Sequence, residues 1–300
     1  MDTRVVNWSW RGENIRLSAT EGGNGQTIIL LPALSSISTR HEMRPLQERL
    51  ACEYSTFSID WPGFGDEVRP QIDWVPEVYA AFLSFLFTSV IKQPHAIIAA
   101  GHAAGYVLKH AASASRVTPR LVLLAPTWQG PLPTMVGQHR PFFDWLCRLV
   151  DRPLIGPLIY WLNVNPTVVR HMGAGHVYAD PDYLVGERLR EKLAVIHAVG
   201  ARFASVRFIS GHIDPLASRE EFLECARRAV APILVIYGSE TPRRSRAEIE
   251  ALAAIPEIRT VRLPRGKLSM HEEFADATVD AVAPFLRETF TPIVSCERLL

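Results

Sequence analysis

Lysine is scarce in this 300-residue chain: Lys92, Lys109, Lys192 and Lys267 are the only four, and 28 of the 32 basic residues are arginine. A lysine at a special position therefore draws notice. Paired cysteines are missing too. Cys52, Cys147, Cys225 and Cys296 are scattered with no CxxC spacing, which argues against a zinc ribbon and against a disulfide framework. There is no excess of one charge: 32 basic residues face 31 acidic ones, net +1. That balance leaves no electrostatic footprint for nucleic acid or an anionic membrane surface. The most apolar stretches, 80–91 and 153–162, fall short of the roughly 20 residues that span a bilayer. The first residues carry no apolar h-region, so a cytoplasmic location is expected.

What the chain does have is core-forming material, with 48% hydrophobic and 21% charged residues, enough for one large domain or a core with an insert. Short β-rich runs fall at 4–10, 14–19, 27–33, 54–60, 95–101, 120–126, 232–238 and 258–264. Several are near-continuous apolar runs (TIILLPA, HAIIAAG, LVLLAP, ILVIYG), the pattern of strands buried on both faces of a parallel sheet. Helical patterns lie between them at 40–52, 74–90, 104–115, 218–230, 245–255 and 275–290. Thr39-x-x-Glu42, Ser218-x-x-Glu221 and Ser245-x-x-Glu248 have the spacing of capping boxes. The first two runs, joined by Arg11-Gly12-Glu13, read as an edge hairpin. From 128 to 216 no buried strand is predicted, only aromatic-rich helical stretches broken by Pro and Gly. The expected organisation is an α/β core of 1–127 and 217–300 with a helical cap of 128–216 after the sixth strand.

Four motifs carry a family resemblance. Asp60-Trp61-Pro62-Gly63-Phe64-Gly65, Gly101-His102-Ala103-Ala104-Gly105, Tyr237-Gly238-Ser239-Glu240-Thr241-Pro242 and Leu263-Pro264-Arg265-Gly266-Lys267-Leu268 fall where the α/β-hydrolase superfamily has its D-x-P-G-x-G turn, nucleophile elbow, acid turn and Gly-His loop. The chain resembles that superfamily over about 4–290. The capped members are the nearest in plan: epoxide hydrolases, haloalkane dehalogenases and carbon–carbon bond hydrolases. The resemblance implies an eight-stranded, mostly parallel sheet with helices on both faces. It also assigns Ala103, Thr241 and Lys267 to the nucleophile, acid and base positions. A methyl group cannot attack a carbonyl, and an ammonium is a donor only. Glu240, one residue before the acid position, could serve after a small loop shift, whereas His271, four after the base position, falls about 6 Å further along a helix axis and is a poor substitute for a base that must lie within hydrogen-bond reach. The family's anion-binding amides map to Leu34 and Ala104.

Each candidate has functional readings and a structural one. Lys267 is a ligand anchor, a lysine of lowered pKa, or the partner of Glu240, Glu272 or Glu273. His102 precedes the elbow residue, and Ser35 and Ser36 follow strand three; contact with ligand competes with structural hydrogen bonding. Trp128, Phe142, Phe143, Trp145, Tyr160 and Trp161 either line an apolar chamber or dock the cap. The expected ligand-binding set is Leu34, Ser35, His102, Ala103, Ala104, Trp128, Trp145 and Lys267. No metal set and no cofactor are indicated. His171 and His176 are five apart with no carboxylate to complete them, and Asp60 reads as structural. Three functions stay open: a carrier of a small apolar or anionic-tailed ligand, an enzyme centred on Lys267 and the Leu34 and Ala104 amides, and a scaffold with a collapsed pocket.

Overall fold

The computed structural model of the chain describes residues 1–113, 119–137 and 140–289. Cys296, positions 114–115 of one expected helix and position 290 of another lie outside them. One sheet holds eight strands: β1 (Asp2–Trp10), β2 (Glu13–Gly22), β3 (Thr27–Leu31), β4 (Ser55–Ile59), β5 (Ala96–Ala100), β6 (Arg120–Leu124), β7 (Ile233–Gly238) and β8 (Ile258–Leu263). Their order is β1-β2-β4-β3-β5-β6-β7-β8. β2 is antiparallel to both β1 and β4, and the other pairs are parallel.

The apolar runs explain the layout. β5 and β7 are buried at every residue, and β3 and β6 at all but the first, so helices must cover both faces. On one face α1 (Arg44–Leu50) packs against α13 (Ala275–Arg287); α12 (Met270–Glu273) leads into α13. A row on the other face is formed by α2 (Pro76–Phe85), α3 (Ala103–Ser113), α10 (Arg219–Arg228) and α11 (Arg243–Ala253). The edge hairpin closes through Arg11 and Gly12, both at positive φ (50° and 91°), the two-residue turn whose twist suits antiparallel strands.

Between β6 and α10 the described residues hold helices only: α4 (Pro131–Val136), α5 (Pro141–Asp151), α6 (Ile155–Asn163), α7 (Pro166–Met172), α8 (Gly186–Ile196) and α9 (Ala201–Ser210). This insert has small apolar clusters of its own, one around Val164, Tyr178 and Ile196 and another around Cys147, Val150 and Val206. Among the described residues no single helix is long and apolar enough to cross a membrane.

At two of the three expected capping boxes the hydroxyl caps the helix, and at one of them the acid also turns back on the first turn. Ser218 accepts from the Glu221 amide at 3.1 Å, and the Glu221 carboxylate accepts from Ala217 N at 2.7 Å. Thr39 caps the His41 amide, while the Glu42 carboxylate turns away to the Ala33 amide at 2.7 Å. Ser245 lies inside α11, which begins two residues earlier than its pattern suggests.

Candidate functional site

The carboxyl ends of β3, β5, β6, β7 and β8 share one end of the sheet, where the crevice of an open parallel sheet lies. A cavity of about 500 Å³ opens there beneath the insert. Ala33, Leu34, Ser35, Gly101, His102 and Thr127 form its wall on the core side. Pro131, Met135, Met172, His176 and Phe208 close it from the insert, and Arg243, Leu268 and Ser269 complete the rim. A more open, charged groove of about 1040 Å³ lies alongside and takes in Trp128, Lys109, Asp214 and Glu248.

The strand-to-helix turn decides which side chain can reach the cavity. β5 ends at Ala100, Gly101 has φ +50°, and α3 begins at Ala103. A Cβ added at Gly101 would lie 3.2 Å from Ala33 Cβ and 4.0 Å from Thr127 Oγ1. A side chain there would stand between the β3 and β6 loops. Ala103 lies in the first turn of α3, fully buried and off the cavity wall.

The loops after β7 and β8 are clasped together. Glu240 Oε2 accepts from Gly266 N at 2.9 Å, and Glu240 N donates back to Gly266 O at 3.1 Å. Thr241 is buried, its hydroxyl donating to Gly238 O at 2.8 Å. Lys267 Nζ donates to the Ala174 carbonyl of the insert. It is not on the cavity wall.

Behind the wall lies a buried charged network. Glu42 Oε1 stands 3.5 Å from His271 Nε2, both side chains 1% exposed. Burial alone would raise the Glu42 pKa, but the hydrogen bond and charge of His271, with Lys192, hold it below its ordinary value. Lys192 of α8 reaches Glu272 at 3.1 Å, and Tyr178 donates to the same carboxylate at 2.7 Å. Burial opposes the Lys192 charge, yet Glu272 and Glu42 raise its pKa. Insert and core are thus pinned by ionic contacts. On the opposite side, His102 Nε2 lies 3.3 Å from Asp214 Oδ1, among the Phe208 and Tyr106 rings. Burial pushes His102 down to about 4 and Asp214 up to about 8. His102 is therefore neutral and ties the start of α3 to the end of the insert.

The model of the α/β hydrolase family matches residues 28–281. The chain belongs to that family. Among solved structures it is similar to an esterase from Thermogutta terrifontis, at 15% identity and a TM-score of 0.71 over 95% of this chain and 98% of the other. A hydrolase from Pseudomonas aeruginosa matches at 18% identity and a TM-score of 0.71, covering 95% and 98%. A haloalkane dehalogenase from Agrobacterium tumefaciens matches at 14% identity and a TM-score of 0.70, covering 95% and 97%. No curated protein matches.

Set in the family's frame, the geometry corrects several expectations. The elbow is Ala99-Ala100-Gly101-His102-Ala103, two residues earlier than the Gly101–Gly105 motif suggests. Its tip is Gly101, the residue at positive φ, and the buried flanking small residues are alanines 99 and 103. The amide following the tip is that of His102, not Ala104, which is fully buried and off the wall. Lys267 pairs with a carbonyl rather than with Glu240, Glu272 or Glu273; Glu272 belongs to Lys192, and Glu273 accepts the Ala179 and Asp180 amides.

None of the six insert aromatics lines the cavity. Trp128 bonds Glu248 in the outer groove, and Trp145 is 53% exposed on α5. Leu34, Ser35 and His102 do reach the wall. The sequence reading did not pick out Gly101, Thr127, Met135, Met172, Phe208 or Ser269. For Gly101 alone there was a local signal, because alanines can serve as the small flanking residues. Among the described residues no cluster suits a metal ion.

Proposed function

We propose that this chain binds a small molecule with an apolar body and an anionic or hydrogen-bonding end in the cavity under its insert, and does not hydrolyse by a Ser-His-Asp triad. The observation that carries this is the glycine at the elbow tip on the wall of an open cavity. The position that would hold a nucleophile offers space and no reacting atom. Thr241 and Lys267, at the acid and base positions, spend their polar groups on Gly238 and Ala174.

A cavity of about 500 Å³ is within the range of small-molecule sites. Its mostly apolar wall favours a ligand that buries hydrocarbon, at about 25 cal/mol per Å² removed from water. Ser35, Ser38 and Ser269 offer hydroxyls, and Arg243 at the rim has no ion pair among the described residues. Arg243 takes the anchoring role expected of Lys267. The open cavity weighs against a collapsed scaffold, and the position of Lys267 weighs against chemistry centred on it.

The test is displacement of the fluorescent probe N-phenyl-1-naphthylamine by dodecanoate and by dodecanol. Ala33→Phe, which puts a ring beside Gly101, is expected to weaken both by tenfold or more. Arg243→Ala is expected to weaken dodecanoate only. Binding indifferent to Ala33→Phe would overturn the assignment of the cavity.

A further inference from the structure

The insert carries an outward apolar face that its own fold leaves uncovered. Eleven of the 17 exposed large hydrophobic side chains among the described residues fall within 135–172. Phe142 and Trp145 stack on α5 with ring centroids 5.3 Å apart. Leu154, which is 89% exposed, precedes Leu158, Trp161 and Leu162 of α6 at helical spacing. Within α6 only Gly156 is buried.

The charge on this face is net positive. Residues 140–172 contain four arginines and two acids, Asp144 and Asp151. Asp151 is held by Arg207 at 2.8 and 3.0 Å, and Asp144 by His212 at 2.7 Å. Arg148 and Arg152 are exposed and make no ion pair among the described residues. The whole-chain charge of +1 averages this local field away, which is why composition alone gave no sign of it.

We propose that α5, α6 and the start of α7 seat this protein in the plane of an anionic lipid surface. Leucine, isoleucine and tryptophan side chains would enter the interface, with arginines against the headgroups. The helices, of 11 and 9 residues, are too short to span and suited to lying flat. The acids of this region, Asp144, Asp151 and the Asp182 that meets Arg170, are already paired, while Arg148 and Arg152 are not among the described residues, so the uncompensated charge favours an anionic lipid over a second copy carrying the same arginines. Met135 and Met172 belong both to the exposed apolar set and to the cavity wall. Exposed apolar side chains near the ends of α4 and α7 thus stand at the cavity mouth, where an apolar ligand leaving a docked bilayer would meet them first. This delivery step rests on the ligand reading above; the docking does not.

The experiment is flotation of the full chain with vesicles of phosphatidylcholine alone or with 30% phosphatidylserine added, at low and high salt. Binding to the anionic vesicles, weakened by salt and accompanied by a blue shift of tryptophan emission, is expected. Trp161→Glu/Leu158→Glu should reduce binding at least tenfold. Arg148→Gln/Arg152→Gln should abolish the preference for phosphatidylserine. Leu154→Ser, at a side chain too exposed to support the fold, guards against a variant that merely unfolds and should also weaken binding. Wild-type protein that floats with neither vesicle overturns the proposal, as do variants that bind like wild type. A dimer that Trp161→Glu dissociates, without vesicle binding, assigns the face to a second copy. Capture of an acidic protein with no lipid binding assigns it to that partner. Ala33→Phe should still float; if it does while no ligand enters the wild-type cavity, docking stands and the ligand reading falls.

Discussion

Placing Gly101 at the elbow tip makes restoration of a triad a sharp experiment. In Gly101→Ser/Thr241→Asp/Lys267→His the hydroxyl would project between Ala33 and Thr127, into the cavity. The strand–helix turn would hold the new residue at φ near +50°. That conformation costs an L-residue about 1–2 kcal/mol, and the 3.2 Å approach to Ala33 Cβ adds to it. A change of 1 kcal/mol moves the melting temperature of a chain this size by roughly 2–4 °C, so Gly101→Ser alone should melt about 2–8 °C lower. A correctly placed base contributes about 10²–10⁴-fold. The single variant should therefore stay silent toward a fluorophosphonate, while the triple variant should gain a stoichiometric adduct seen by intact mass. The matched Ala103→Ser/Thr241→Asp/Lys267→His should gain none, because position 103 is buried in α3 away from the cavity. An adduct on the Ala103 variant together with none on the Gly101 variant would refute the elbow assignment.

Three further outcomes follow from the polar network and from Lys267. Lys192→Met should destabilise by about 3–5 kcal/mol because it strands the Glu272 carboxylate, whereas Lys192→Met/Glu272→Leu should recover most of that loss; urea midpoints of both variants and of Glu272→Leu complete the cycle. The folded-state pKa of Glu42 is lowered, so its stabilising share is present above the ordinary glutamate value of about 4.3 and is lost as the pH falls toward the folded value. Glu42→Gln should thus be less stable at pH 7 and show a shallower fall in urea midpoint between pH 5 and pH 3. Lys267→Ala removes one bond to Ala174 and should cost about 1–2 kcal/mol while leaving dodecanoate displacement unchanged; a tenfold loss of binding would put Lys267 back in the cavity.

The sheet was legible in the sequence because β3, β5, β6 and β7 are nearly pure apolar runs, and only strands buried on both faces tolerate that pattern. The insert was legible from the absence of such runs between 127 and 232. The elbow frame was not. Gly101 and Gly105 match the family's letters, but the family needs small side chains at two places and left-handed backbone at a third. Alanines 99 and 103 meet the first need, and only the φ of Gly101 identifies the third. The capping spacing around Glu42 misled for a different reason. Its carboxylate answers His271 and Ala33, partners from distant segments that no local pattern names. The cavity wall of Met135, Met172 and Phe208 was obscured because the aromatics that looked suited to it go elsewhere: Phe142, Trp145 and Trp161 face outward on α5 and α6, while Trp128, Phe143 and Tyr160 pack away from the cavity.

Whether any residue of the unaltered protein is an activated nucleophile is measured most directly by its intact mass after incubation with a fluorophosphonate, with a short-chain ester assay on the same sample. An unchanged mass and no turnover are expected, because the elbow tip is Gly101. A stoichiometric adduct, above all one mapping to Ser35 or Ser36 beside the cavity, would contradict that expectation.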